Sequence, residues 1–481
     1  MDKLFLLITM VVFLSSCSNR EVRSSRAEYP PVYPDYTDVT IPVNVAPLNF
    51  MMRDPVEKMV VTIAGAGDSL VVRGKKSVRF PERRWRKLLL AAKDNLLWVT
   101  VSARFGSGWV QYKPFSWSVK GDSLDPWLSY RLIEPGYEVW HKISIQERNT
   151  ESFKTRPLAD NNLTGNSCMN CHIRGNSGES LSMFHLRGPD GGTVLSRGGE
   201  LRKLESRNDS MWGNATYGNF HPSGRYAVFS VNNVIPAFHA WRSERLEVYD
   251  SRSDLVVFDF DKMKAISLPW LDSTIALETF PVFSADGQWI YFCSAPFVDL
   301  PDSIRFLRYS IVRIPFDAVT GIPGQIPETL WDAGVNQGSA SFLKTSPDGK
   351  YLLFTRSDYG TFPIWHQEAD LQMMNLSTGV VDSLKAVNAW RSDSYHSWSS
   401  NSRWFVFASK RDDGIYGKPY FSYVDTSGKA YKPFVLPQRD PSKYDQMLKS
   451  FNIPELGREK TPFTARDIEH LYWNVPPEPL K

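Results

Sequence analysis

The stretch Ser346-Pro347-Asp348-Gly349-Lys350-Tyr351-Leu352-Leu353-Phe354-Thr355 decides the fold. It reads as a tight turn, a basic residue, an aromatic and a short apolar strand. Asp-Gly supplies the turn, because glycine takes a left-handed conformation without steric cost. The strand is apolar on both faces, as expected of one covered on both sides. Three further copies follow the same plan: His221-Pro222-Ser223-Gly224-Arg225-Tyr226, Ser284-Ala285-Asp286-Gly287-Gln288-Trp289 and Ser399-Ser400-Asn401-Ser402-Arg403-Trp404. Gly224, Gly287, Gly349 and Ser402 recur at intervals of about 50 to 65 residues, the range of a propeller blade. Between them lie other strands, such as Leu255 to Phe260 and Tyr309 to Ile314.

Composition agrees. The chain has 481 residues, enough for two or three domains, and its 16 Trp, 32 Pro and 30 Gly favour many short strands joined by turns. The formal charge is +4, with Lys and Arg interleaved among Asp and Glu, so nothing points to nucleic acid.

The start of the chain reads as an export signal. Asp2-Lys3 precedes an apolar run from Leu4 to Leu14, too short to span a bilayer, and Leu14-Ser15-Ser16-Cys17 follows. That ending resembles the lipobox of bacterial lipoproteins. The resemblance implies cleavage after residue 16, lipid on the Cys17 thiol and a place in the bacterial cell envelope, anchored to a membrane (the outer membrane or its periplasmic or surface face). Residues 17–35 are polar and Pro-rich and read as a tether. Residues 36–150 alternate in strand fashion, with a hairpin at Gly65 to Asp68 and one helix after Pro81 carrying Trp85, Leu88, Leu89 and Ala92 on one face. Their order resembles a fibronectin-III or immunoglobulin-like sandwich. Residues 151–180 read as a connector, 181–440 as the propeller and 441–481 as a C-terminal strap.

The connector holds Cys168-Met169-Asn170-Cys171-His172, the C-x-x-C-H spacing of covalent haem attachment. Cys168 and Cys171 would form thioethers to one haem c, and His172 would be the proximal iron ligand. Met183 and His185 are the nearest candidates for the distal position, with Met211, His141, His221 and His396 able to approach through the fold. Arg174 and Arg187 could pair with propionates. A redox dithiol would want a βαβ setting and zinc two more ligands. Too few residues surround the motif for a cytochrome c domain, so the haem would be an interdomain group. Cys293, in Trp289 to Cys293, reads as a core thiol.

The S-P-D-G-[KR]-aromatic repeats, over about half the chain, resemble the blades of TolB-like propellers (PD40 or WD40-like repeats). The resemblance implies an all-β chain: the N-terminal sandwich, then a propeller with four repeats visible and five or six blades possible. Gly191 to Ser196 and the tail after Tyr420 are candidates for the missing blades. In that family the residues before the turns lie near one end of the central channel. His221, His396 and His366 could therefore meet a metal or ligand there, or be satisfied within their turns. No nucleophile elbow, H-E-x-x-H, P-loop or Rossmann fingerprint is present, so no catalytic residue is named. The expectation is a lipid-anchored monohaem protein carrying single electrons or sensing redox state, with a redox partner or a membrane-associated complex. One alternative is a propeller that binds a protein or glycan with the haem structural or absent. Another is a haem enzyme with an open coordination position.

Overall fold

The computed structural model describes residues 22–106, 108–134, 142–175, 180–238, 246–268 and 275–481; Cys17 and His141 lie outside them. Each repeated turn closes in the same way. In the copy quoted first, Ser346 N–H donates to Tyr351 O (2.8 Å), Tyr351 N–H donates to Ser346 Oγ (2.9 Å), and Ser346 Oγ donates to Asp348 Oδ1 (2.7 Å). The glycine position is left-handed in all four copies, with φ of 70° at Gly224, 74° at Gly287, 72° at Gly349 and 58° at Ser402. His221 replaces the serine in its copy, and its Nδ1 meets Ser223 Oγ at 2.8 Å.

These turns join the first and second strands of antiparallel blades of four or five strands, and the topology makes six blades. Blade 2 runs through Met169–Arg174, Leu181–Leu186, Gly192–Arg197 and Glu200–Leu204. Blade 3 begins at Ala215–Phe220, blade 4 at Ala276–Phe283, blade 5 at Ser339–Thr345 and blade 6 at Asp393–Trp398. Blade 1 is composite. Trp127–Ile133, Ser144–Asn149 and Thr155–Asp160 supply three strands, and Ser450–Gly457 from the far end of the chain pairs antiparallel with Trp127–Ile133 as the innermost. Each inner strand touches the next around the ring, and Ser450–Gly457 touches Met169–Arg174 to close it. A closed ring leaves no exposed inner edge for stray pairing.

The ring therefore begins at Trp127, not at residue 181, and the haem-spacing motif lies inside it. Residues 151–180 are not a connector: they complete blade 1 and begin blade 2. Gly191 to Ser196 contributes to blade 2, as a candidate for a missing blade, and the tail closes blade 1. Beyond the closing strand, helix Ala465–Asn474 buries Ile468, Leu471 and Tyr472 against blades 1 and 2.

Residues 22–120 form a separate β unit. A seven-stranded sheet includes Lys58–Gly65, Asp68–Gly74, Leu96–Phe105, Gly108–Gln111 and Phe115–Lys120, and a three-stranded sheet shares its core. Helix Glu82–Ala91 buries Trp85, Leu88 and Leu89 in that core. The core runs on without a break into blade 6 through Trp404, Phe405 and Phe434. Polar pairs seal the joint: Tyr36 Oη donates to Val435 O (3.3 Å) and Trp404 Nε1 to Asp122 O (2.8 Å). The tether is shorter than the sequence implies, because Val22–Ser25 and Val32–Tyr33 are already paired strands.

Candidate functional site

Every inner strand carries a β-bulge at the same height. The extra residue is left-handed in five blades: Cys171 (φ 55°), Phe280 (50°), Phe342 (51°), Tyr395 (49°) and Ile453 (51°). Tyr217 occupies the place in blade 3, where the register also shifts. A bulge re-aims its side chain, and all six of these residues line a cavity on the propeller axis. Their aromatic rings touch in sequence in tilted and edge-on arrangements, with centroids 4.5 Å apart for Tyr217 and Phe280, 4.1 Å for Phe280 and Phe342, and 4.4 Å for Phe342 and Tyr395. Blades 1 and 2 put Ile453 and Cys171 in the ring instead of aromatics. The smaller side chains leave a cavity of about 50 Å³, also walled by His172, Lys344, His396 and Glu455.

His172 is buried, and its ring nitrogens make no close hydrogen bond, although the Ser129 backbone lies near enough to favour the charged form. Burial, reinforced by the nearby Arg131 charge, lowers its pKa to about 3, so the imidazole is neutral. Burial pushes the Cys171 thiol up to about 11, against the opposing pull of Arg187 and Arg131, and raises Cys168 as well. Both thiols are free. Five other buried polar atoms among the described residues of blades 1 and 2 lack partners: Arg131 Nε, Asn170 Oδ1, Asn452 Oδ1, Ser182 Oγ and Ser196 Oγ. Lys344 and Glu455 pair at 2.7 Å across the cavity wall.

The residues near the motif in sequence have other commitments. His185 is buried with Nδ1 2.9 Å from Thr193 Oγ1 and Nε2 2.9 Å from Thr216 O, which leaves no nitrogen for iron. Met183 packs with Ile173 and Leu195 in the core between blades 2 and 3, not at the axis. Arg174 is held by Glu147 at 3.2 Å and bonds Glu459 O. Arg187 lies close enough to both thiols to act on them, and its Nη2 donates to Ala215 O at 3.5 Å. The three propeller histidines do not meet. His221 stays in its turn, His396 Nε2 donates to Leu353 O (2.9 Å) in the channel wall, and His366 sits at one end of the ring between Glu247 (3.3 Å) and Glu368 (3.2 Å). Among the described residues, no group of three or more His, Cys, Asp or Glu side chains is arranged to hold a metal. Cys293 is a buried core thiol.

The donor set suits covalent haem in kind, with two free thiols and a neutral imidazole. The space does not suit it. A site for a drug-sized ligand occupies ~300–1,000 Å³, and a porphyrin belongs in that range, against about 50 Å³ here. Cys168 does not line the cavity; it packs beside Phe184, Leu186 and Tyr472. As arranged, these residues do not enclose a haem. A water needs ~10–15 Å³, so the cavity has room for several, which would satisfy His172.

A second feature emerges from the blade topology. The turns between second and third strands, and the links between blades, all lie at the end of the ring opposite the S-P-D-G turns. That end exposes Ile275, Phe297, Phe306, Val335, Trp390, Ile415 and Leu448, an arc over blades 4 to 6. The opposite end exposes Val319, Ile322 and Ile326 on one outer turn of blade 4, and Val380. No sequence pattern marks the arc, because its members sit singly in irregular links. The axial aromatics did carry a signal: Tyr217, Phe280, Phe342 and Tyr395 each stand four residues ahead of the first residue of a repeated turn.

No protein-family model matches the chain, and no curated protein matches it. Among solved structures, it resembles an oligogalacturonate lyase in complex with manganese at 12% identity and a TM-score of 0.35, over 65% of this chain and 74% of that one. Prolyl oligopeptidase B from Galerina marginata matches at 8% identity and 0.35, over 70% of this chain and 42% of that one. A DUF4784 family protein from Bacteroides caccae matches at 8% and 0.32, over 75% and 96%. At these scores the likenesses carry no argument, and the six-bladed assignment rests on the strand pairing described above.

Proposed function

We propose that the chain is an exported, lipid-anchored, TolB-like propeller that works as a binding protein, docking a protein partner on the apolar arc over blades 4 to 6. The observation that carries this reading is the arc itself. Seven large apolar side chains, Trp and Phe among them, stand exposed at one end of the ring. Exposed Trp and Phe side chains are the kind of anchor protein interfaces use, where a few such residues dominate affinity. The axis offers no comparable site, since the packed aromatics leave a cavity of about 50 Å³. The test is a photo-crosslinking amino acid placed at Phe306 or Trp390 in intact cells. A discrete protein adduct is expected from both positions and none from Val319 at the other end; equal labelling from both ends, or none, rejects the reading.

His172 favours a second reading. Its neutral imidazole, with no close hydrogen bond, near two free thiols is what a covalent haem attachment site would present. On this reading the protein transfers electrons or senses redox state, and blades 1 and 2 stand further apart around the group than they do here. Haem supplies one-electron chemistry when bound. Protein matured with a haem-attachment system decides between the readings: a haem that stays with the chain on a denaturing gel supports the second, and a colourless chain removes it.

A further inference from the structure

We infer that the outer face of the seven-stranded N-terminal sheet lies against the bilayer that holds the Cys17 lipid, with Trp98 at the lipid interface. The inference rests on the lipid anchor proposed above. Its first support is the length of chain between anchor and fold. Only residues 18–21 separate Cys17 from strand Val22–Ser25. Five Cα steps reach at most ~18 Å, so the strand begins within that distance of the headgroups. Val22 pairs with Trp109, Trp109 with Arg104, and Arg104 with Lys58, which places the anchored end at one edge of the sheet.

The second support is what that sheet shows to solvent. Directly opposed residues share a face. Trp98 stands opposite Ala64, and Ala64 opposite Ser69; Thr100 stands opposite Thr62, and Thr62 opposite Val71. The alternate residues Leu97, Val99, Val101, Val61 and Ile63 are all buried in the domain core. The outer face therefore carries Trp98, Leu96 and Val71, which are 53%, 47% and 49% exposed. Toward the anchored end the same face carries Arg73, Lys58 and Arg104, all exposed, with Glu57 beside Arg104 at 3.4 Å as the local counter-charge. A tryptophan and basic side chains on one face are what a membrane–water interface favours, and anionic headgroups attract the basic residues near the surface. A single lipid attachment with so short a lead would hold the sheet where these residues can meet the headgroups.

The test uses the full chain, matured through export, in vesicles of phosphatidylethanolamine and phosphatidylglycerol with brominated acyl chains. Mass analysis of the N-terminal peptide reads acylation independently. Bromine quenches only tryptophan at the bilayer, so quenching is expected in the parent and at least a twofold smaller amplitude in Trp98→Phe. Val71→Asp is expected to reduce it as well, while Val319→Asp on the propeller leaves it unchanged. An acylated chain whose quenching ignores Trp98→Phe overturns the membrane face and leaves the anchor standing. A chain without the acyl group that still floats with the vesicles through Trp98 supports the face and removes the anchor. If Val71→Asp instead dissociates a dimer in vesicle-free buffer, the face belongs to a second copy and the inference is overturned.

Discussion

Glu147 of blade 1 holds Arg174 of blade 2 at 3.2 Å, with Arg156 at 2.7 Å on its other carboxylate oxygen. The carboxylate is fully buried and also accepts from Thr461 N–H (2.8 Å) and Thr461 Oγ1 (2.6 Å). One side chain thus ties two adjacent blades to the C-terminal segment, at the joint where the ring is closed by a strand from the far end of the chain. Glu147→Ala is expected to cost ~3–5 kcal/mol, because it strands the buried Arg174 charge without a partner. Urea unfolding followed by tryptophan fluorescence measures it, and a cost under 1 kcal/mol would show the cluster is not the clamp.

The His366 cluster makes stability depend on pH in a known direction. Burial opposes the charge on His366, but the Glu247 and Glu368 carboxylates outweigh it and raise its pKa to about 9. The folded pKa thus lies above the unfolded value near 6.5. The stabilisation is fully present below pH ~6.5, declines by at most ~1.4 kcal/mol per pH unit above it, and is gone once the pH passes about 9. Unfolding free energies at pH 6, 7.5 and 9 should trace that fall, and His366→Gln should flatten it.

Two turn glycines separate backbone strain from steric clash. Gly349 has φ 72°, and a Cβ there would rest 3.5 Å from Ala285 Cβ, an ordinary contact. Gly349→Ala is expected to cost only the left-handed penalty of ~1–2 kcal/mol. Gly287 has φ 74°, and its Cβ would fall 2.1 Å from His221 Nε2. Gly287→Ala must displace that ring and break its contact with Gly287 O (3.2 Å), adding ~1–3 kcal/mol. Thermal melts of the two variants give the comparison; equal losses would mean that His221 moves freely.

Thiol chemistry reads the axial site directly. Burial raises the Cys168, Cys171 and Cys293 thiols above the ordinary range, so the folded chain should alkylate slowly at pH 8. After unfolding in guanidinium, iodoacetamide should label all three of them. Labelling of Cys293 alone would mean that Cys168 and Cys171 carry a covalent group.

The sequence by itself determined four blades. The turn chemistry of Ser346-Pro347-Asp348-Gly349 and its three counterparts is local: a side chain bonds the backbone two to five residues away, and a left-handed residue completes the reversal. Such features recur wherever the same turn is made. The helix after Pro81 and the core position of Cys293 were legible for the same reason. Blade 1 was not, because its inner strand, Ser450–Gly457, pairs with Trp127–Ile133 from more than three hundred residues away. Blade 2 lacks the turn signature, so its first strand, Met169–Arg174, reads as part of a connector. The ring decided the rest. It turned Cys171 into the sixth member of an axial layer with Tyr217, Phe280, Phe342, Tyr395 and Ile453, and it gave His185, Met183 and Arg174 partners that sequence proximity to Cys171 could not reveal. Local hydrogen bonding writes a turn into a few residues; ring closure, and what a side chain meets inside the ring, depend on residues brought together only when the last strand is in place.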